Sequence, residues 1–179
     1  MSPTILPYRE MLPSVAEDAF VAENAVIIGD VVIGSGSNIW YNCVLRGDVH
    51  EIRVGDGVNI QDGTIVHVAT DAFGTYIGDN VSIGHMALIH ACTLEPGAFV
   101  GMKACVMDGS VVESGAMVAA GALVTPGKRI PSGQIWGGSP AKHIRDLTEK
   151  DRRFFDWTAP HYVKLGAEYR KRQKRSGGS

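Results

Sequence analysis

The sequence predicts a mainly β fold, a parallel β-helix of hexapeptide repeats followed by a C-terminal α-helix, and three observations predict it. Aliphatic residues recur every six positions, a small or β-branched residue stands four places after each, and 22 glycines in 179 residues are available for tight corners. A period of six does not match an amphipathic helix, whose apolar stripe returns every three to four residues. It matches a short strand and a turn stacked coil upon coil.

The elements follow in order. Residues 1–14 read as an N-terminal lead-in, and residues 15–141 as the β-helix. Its first run is Val15, Val21, Ile27, Ile33, Ile39 and Leu45. Val54, Ile60, Val66 and then Ile77, Ile83, Ile89 follow short insertions and precede a one-residue slip. Leu94, Val100, Val106, Val112, Val118, Val124 and Ile130 complete the series, with Trp136 in step. Three hexads per coil make a three-sided prism, with each aliphatic side chain on the axis and small residues such as Cys43, Ala87 and Ala104 closing the corners. A solenoid needs its open ends covered. After Gly137-Gly138-Ser139-Pro140 the pattern stops, and residues 142–179 read as a C-terminal helix and basic tail. Thr148 and Asp151 resemble a capping box for a helix reaching about Arg172, with Leu147, Phe154, Phe155, Trp157, Tyr162, Leu165 and Tyr169 as its apolar face.

Composition bounds the function. At 45% hydrophobic and 20% charged residues the chain reads as one globular domain, and a net charge of -2 argues against a nucleic-acid partner despite the basic tail. The first fifteen residues lack a charged stretch followed by an unbroken apolar one, and no apolar run is long enough for a bilayer, so a cytoplasmic location without membrane contact is expected. Cys43, Cys92 and Cys105 have neither disulfide nor zinc-finger spacing and are expected as packed free thiols.

The register places three histidines. Leu45, Val66 and Ile89 fall three hexads apart, so Arg46, His67 and His90, each one residue later, stack on one face about 4.8 Å apart. His67 and His90 are then close enough to share a metal ion. His85, two places after Ile83, belongs to the preceding face, above Asp62, and cannot easily reach that ion within one chain. A symmetric homotrimer removes the difficulty, because the His85 face of one subunit meets the His67 and His90 face of the next. Three neutral imidazoles with an open fourth position suit catalytic Zn²⁺, with Co²⁺ or Fe²⁺ not excluded.

The strings Leu45-Arg46-Gly47-Asp48, Asn59-Ile60-Gln61-Asp62 with His67, Ile83-Gly84-His85 with His90-Ala91-Cys92, and Gly138 to Lys142 resemble motifs of the gamma-class carbonic anhydrase family, across nearly the whole chain. The resemblance implies a left-handed coil, a trimer with metal at each subunit interface, and reversible hydration of CO₂ to bicarbonate by a metal-bound hydroxide. It also implies Gln61 and Asn59 beside the metal-bound solvent and substrate, Tyr162 near the site, an interfacial Arg46 and Asp48 pair, and Asp62 either paired with Arg46 or supporting a ligand. Asn59 and Gln61 also have a structural reading as bridges between coils, and Tyr162 one as helix packing.

The sequence departs from the family in its proton-transfer groups. Val49 follows Asp48 where a glutamate is usual, and the loop VATDAFGTY before Ile77 offers only Asp71. His50 is a candidate shuttle by virtue of its near-neutral pKa. Other readings remain open: a hexapeptide-repeat acyltransferase using acyl-CoA, a catalytically weak metal-binding assembly protein, or a thioesterase. Fold alone does not separate them.

Overall fold

Each aliphatic repeat position occupies the inward side of a short strand, because alternation sends its two neighbours outward. Ile27, Ile39, Leu45, Ile60, Val66, Ile83, Ile89, Val100 and Val106 are fully buried. The computed structural model describes residues 3–176, so residues 1–2 of the lead-in and 177–179 of the tail lie outside the described residues.

The strands stack in parallel on three faces. On the first, Ile27, Leu45, Val66, Ile89, Val106 and Val124 align. On the second, Ile39, Ile60, Ile83, Val100 and Val118 align. On the third, Ile33, Val54, Ile77, Leu94, Val112 and Ile130 align. The result is a parallel β-solenoid of about seven turns with one C-terminal helix. Buried Cys43, Thr64, Ala87 and Ala104 leave room for the corners.

Both ends differ from the sequence reading. Within the lead-in, Thr4–Leu6 pairs with Val26–Ile28, so the coil begins before Val15. At the other end, Lys142–Asp146 is an antiparallel strand on Gln134–Gly137 rather than part of the helical segment. The last coil exposes unpaired backbone groups, and folding the chain back satisfies them. That strand carries no hexad, so the repeat could not show it.

The helix runs over Glu149–Ser176. Its start is a capping box: the Thr148 hydroxyl accepts the Asp151 N–H at 3.3 Å, and the Asp151 carboxylate accepts the Thr148 N–H at 2.8 Å. Arg145 and Thr148 together hold the Asp151 carboxyl far below the usual carboxylate range. The stabilisation from the charged cap is therefore fully present above the ordinary aspartate pKa and lost only as pH falls on through the lowered value. Thr148→Ala is expected to cost about 1 kcal/mol, read as a lower midpoint in urea unfolding.

The helix covers the second face. Trp40 packs edge-on against Phe20, Tyr162 and Tyr169, with ring centroids 5.1–5.8 Å apart. Gly166 allows the closest approach, since a Cβ there would lie 3.0 Å from that of Asn38. Phe154 and Trp157 remain half exposed.

Candidate metal centre

The first face brings two histidines together. His67 ends the strand Ile65–His67, His90 ends Leu88–His90, and the two are paired residues in the parallel ladder. Because Val66 and Ile89 point inward, both imidazoles point outward, and His67 Nδ1 lies 3.1 Å from His90 Nε2.

A carboxylate holds the far nitrogen of each ring. His67 Nε2 is 3.1 Å from Asp48 Oδ1, and His90 Nδ1 is 2.6 Å from Asp108 Oδ1. A carboxylate accepts, so in the neutral rings that a metal requires each far nitrogen is the N–H, and two lone pairs face each other. Two lone pairs at that distance repel unless a cation lies between them. Two nitrogens on one tetrahedral zinc stand about 3.3 Å apart, given Zn–N bonds of about 2.0–2.1 Å. The donor set and its spacing therefore fit a divalent metal.

Local chain geometry sets up this arrangement. Arg46 and Asp48 form an ion pair within one chain. A Cβ on Gly47 would come 2.5 Å from the Asp30 carbonyl oxygen, so only glycine lets the coils approach at the corner from which Asp48 reaches His67. Burial pushes the Asp48 carboxyl up, but hydrogen bonds from His67 and Arg46 outweigh it and hold the group below its ordinary value. Thr75, fully buried, donates its hydroxyl to the His67 carbonyl and accepts the Ala91 N–H at 2.9 Å. It ties together the backbones that carry both ligands.

His85 stands apart. It follows Ile83, which pairs with Ile60, and its Nδ1 is 2.9 Å from Asp62 Oδ2. Within the single chain Asp62 is thus held by a histidine. Among the described residues of a single chain, no three His, Cys, Asp or Glu side chains form a metal-holding group. One chain presents His67 and His90 on one face and His85 at the neighbouring corner.

Gln61 and Tyr162 meet beside that corner, near enough for the Gln61 side chain to act on the phenol. Burial and then the Asp62 charge raise the Tyr162 pKa, with the Gln61 hydrogen bond acting in the other direction. Asn59 is fully buried under the helix, and its Oδ1 accepts the Trp40 indole N–H at 3.0 Å. The thiols are free, and burial pushes those of Cys43 and Cys92 up to about 12, which makes them poor thiolate ligands.

The sequence reading missed Asp108 and Thr75. Asp108 was findable, because it stands two places after Val106, which pairs with Ile89. Thr75 lies in an insertion, outside the hexad register. Asp108→Asn is expected to weaken metal binding about 10–100-fold, measured by competition with a chromogenic chelator, because the His90 tautomer loses its anchor.

Comparison with known proteins adds identity to this geometry. The family model described as bacterial transferase hexapeptide (six repeats) matches residues 13–47. Gamma carbonic anhydrase 2, mitochondrial, of Arabidopsis thaliana is 52% identical over 167 residues, covering 90% of this chain and 60% of that protein. The carbonic anhydrase of Geobacillus kaustophilus is 39% identical, covering 95% of this chain and 93% of that protein.

The chain belongs to the gamma-class carbonic anhydrase family.

It spans about 60% of the length of the Arabidopsis family members it matches. A crystal structure of a hexapeptide transferase family protein from Anaplasma phagocytophilum has the family's architecture, with a TM-score of 0.89 at 49% identity over 93% of this chain and 98% of that one. The N-acyltransferase AntD of Bacillus cereus, at 17% identity and TM-score 0.67, shares the fold alone. The Arabidopsis members are named as mitochondrial, and among the described residues no helix is long and apolar enough to cross a membrane.

Proposed function

We propose that the chain is a carbonic anhydrase acting at a divalent metal site shared between the subunits of a homotrimer. The observation that carries the reading is the pair of facing imidazole nitrogens 3.1 Å apart, each ring held from its far side by its own carboxylate. His67 and His90 of one subunit, with His85 of the next, would hold the metal, most naturally Zn²⁺, with Co²⁺ or Fe²⁺ compatible with the same imidazoles. Such an ion acidifies water, so that a nucleophile for CO₂ exists near neutral pH.

The chain's own residues do the rest. Asp62, Asp48 and Asp108 orient the three imidazoles. Gln61, beside the Tyr162 phenol, would present its amide to the reacting solvent and CO₂, and the packed helix that carries Tyr162 would keep bulk water from that side. Asn59 acts from beneath the helix by positioning Trp40 and the Gln61 strand. His50 and Glu51, which line a surface cavity of about 340 Å³ together with Asp48, would pass a proton to buffer.

The trimer reading rests on an unpartnered apolar stripe. Val26, Val44, Ile65, Leu88, Cys105 and Leu123 point outward in one ladder on the histidine face, and Ile65 is 45% exposed in the single chain. Met86 and Met102, beside His85, are exposed as well. Contiguous apolar surface of this kind marks an interface.

Stopped-flow CO₂ hydration on metal-quantified protein tests the activity. Hydration that scales with bound metal supports it, and metal-loaded protein with no hydration rejects it. Acetyl-CoA turnover that survives a chelator would instead favour an acyltransferase.

A further inference from the structure

A second site lies at the corner of the prism away from the histidines. There a cavity of about 550 Å³ opens between the C-terminal helix and the second face. Such a volume suits a small molecule. Its floor includes Ser82, 3% exposed, whose hydroxyl is buried without a hydrogen-bond partner. Phe99 and Phe155, stacked 4.9 Å apart at 12°, form one wall. Arg152 and Asp156, one helical turn apart, stand at the mouth, and among the described residues neither side chain has an ion-pair or hydrogen-bond partner.

The charges specify the occupant. A simple carboxylate would satisfy Arg152 but face Asp156, and a simple amine would do the reverse. An α-amino acid carries both charges as substituents of one carbon, which matches two opposite charges on one helix face. The aromatic wall calls for a flat ring, and the unpartnered Ser82 hydroxyl calls for a polar atom at the far end of it. We propose that this cavity binds a free aromatic α-amino acid, with tyrosine the best fit: carboxylate on Arg152, ammonium on Asp156, ring against Phe99 and Phe155, and phenol on Ser82. The site goes beyond the metal chemistry, but the same helix carries Tyr162, two residues after the cavity residue Pro160, so occupancy would hold that phenol against Gln61.

Isothermal titration calorimetry on the assembled protein tests this without metal or CO₂ as a readout, so it stands or falls separately from the proposed activity. The titrants are L-tyrosine, tyramine, 3-(4-hydroxyphenyl)propionate and L-phenylalanine. Tyrosine should bind at least about tenfold more tightly than each analogue, which lacks one contact. Arg152→Gln should erase the preference over tyramine, Asp156→Asn that over the propionate, and Ser82→Ala that over phenylalanine, with circular dichroism unchanged. No binding at millimolar tyrosine, equal affinity for all four compounds, or preferences that survive the substitutions would overturn the proposal.

Discussion

His90→Ala is expected to lower metal affinity by more than about a hundredfold and to remove CO₂ hydration with it. Loss of a residue that merely supports a ligand costs about 10–100-fold, so removal of the ligand itself sets that as a floor. The substitution deletes one of the two lone pairs 3.1 Å apart and leaves Asp108 facing solvent. Stability should hardly differ from that of metal-free wild-type protein, because the His90 side chain is a quarter exposed and the inward position beside it, Ile89, is untouched. Metal analysis after dialysis, together with thermal unfolding, checks both halves of this expectation. Unfolding at the temperature of metal-free wild-type protein, with the metal gone, is the predicted pattern.

Ile65→Asp is expected to produce a folded monomer that has lost its metal, although position 65 is not a ligand. In the single chain the side chain is 45% exposed, so the carboxylate is tolerated there. Buried in a trimer interface without a partner, it costs several kcal/mol per interface, enough to dissociate the assembly. His85 then no longer meets His67 and His90, and a two-histidine site binds weakly. Sedimentation and metal content should fall together. Val111→Asp, at the equivalent outward position of the third face, should change neither.

The parts of this molecule that repeat were legible in the sequence. A six-residue period determines which side chains reach the axis, and it placed His67 beside His90 and Asp62 beneath His85 because stacking leaves one register that buries Val66, Ile89, Ile60 and Ile83 together. The parts that do not repeat were hidden. Lys142–Asp146 pairs back on the last coil to satisfy an open edge, and Thr75 ties two coils from within an insertion, so neither follows from the period. Asp108 falls between these cases, since the register reached its coil but carboxylates attract notice only once the imidazole beside them has been oriented. Asn59 sits in the ladder between Asn38 and Ser82, and its amide oxygen accepts the indole N–H of Trp40 from the neighbouring coil.

The claim that a metal site is divided between subunits is tested most directly by complementation. Chains carrying His85→Ala and chains carrying His90→Ala, each inactive alone, are co-expressed in equal amounts and the mixed assembly is purified. In a trimer with shared sites, about a quarter of the interfaces join an intact His67 and His90 pair to an intact His85. About a quarter of the wild-type metal content and CO₂ hydration should therefore return. Mixed assemblies that recover neither would contradict the shared site.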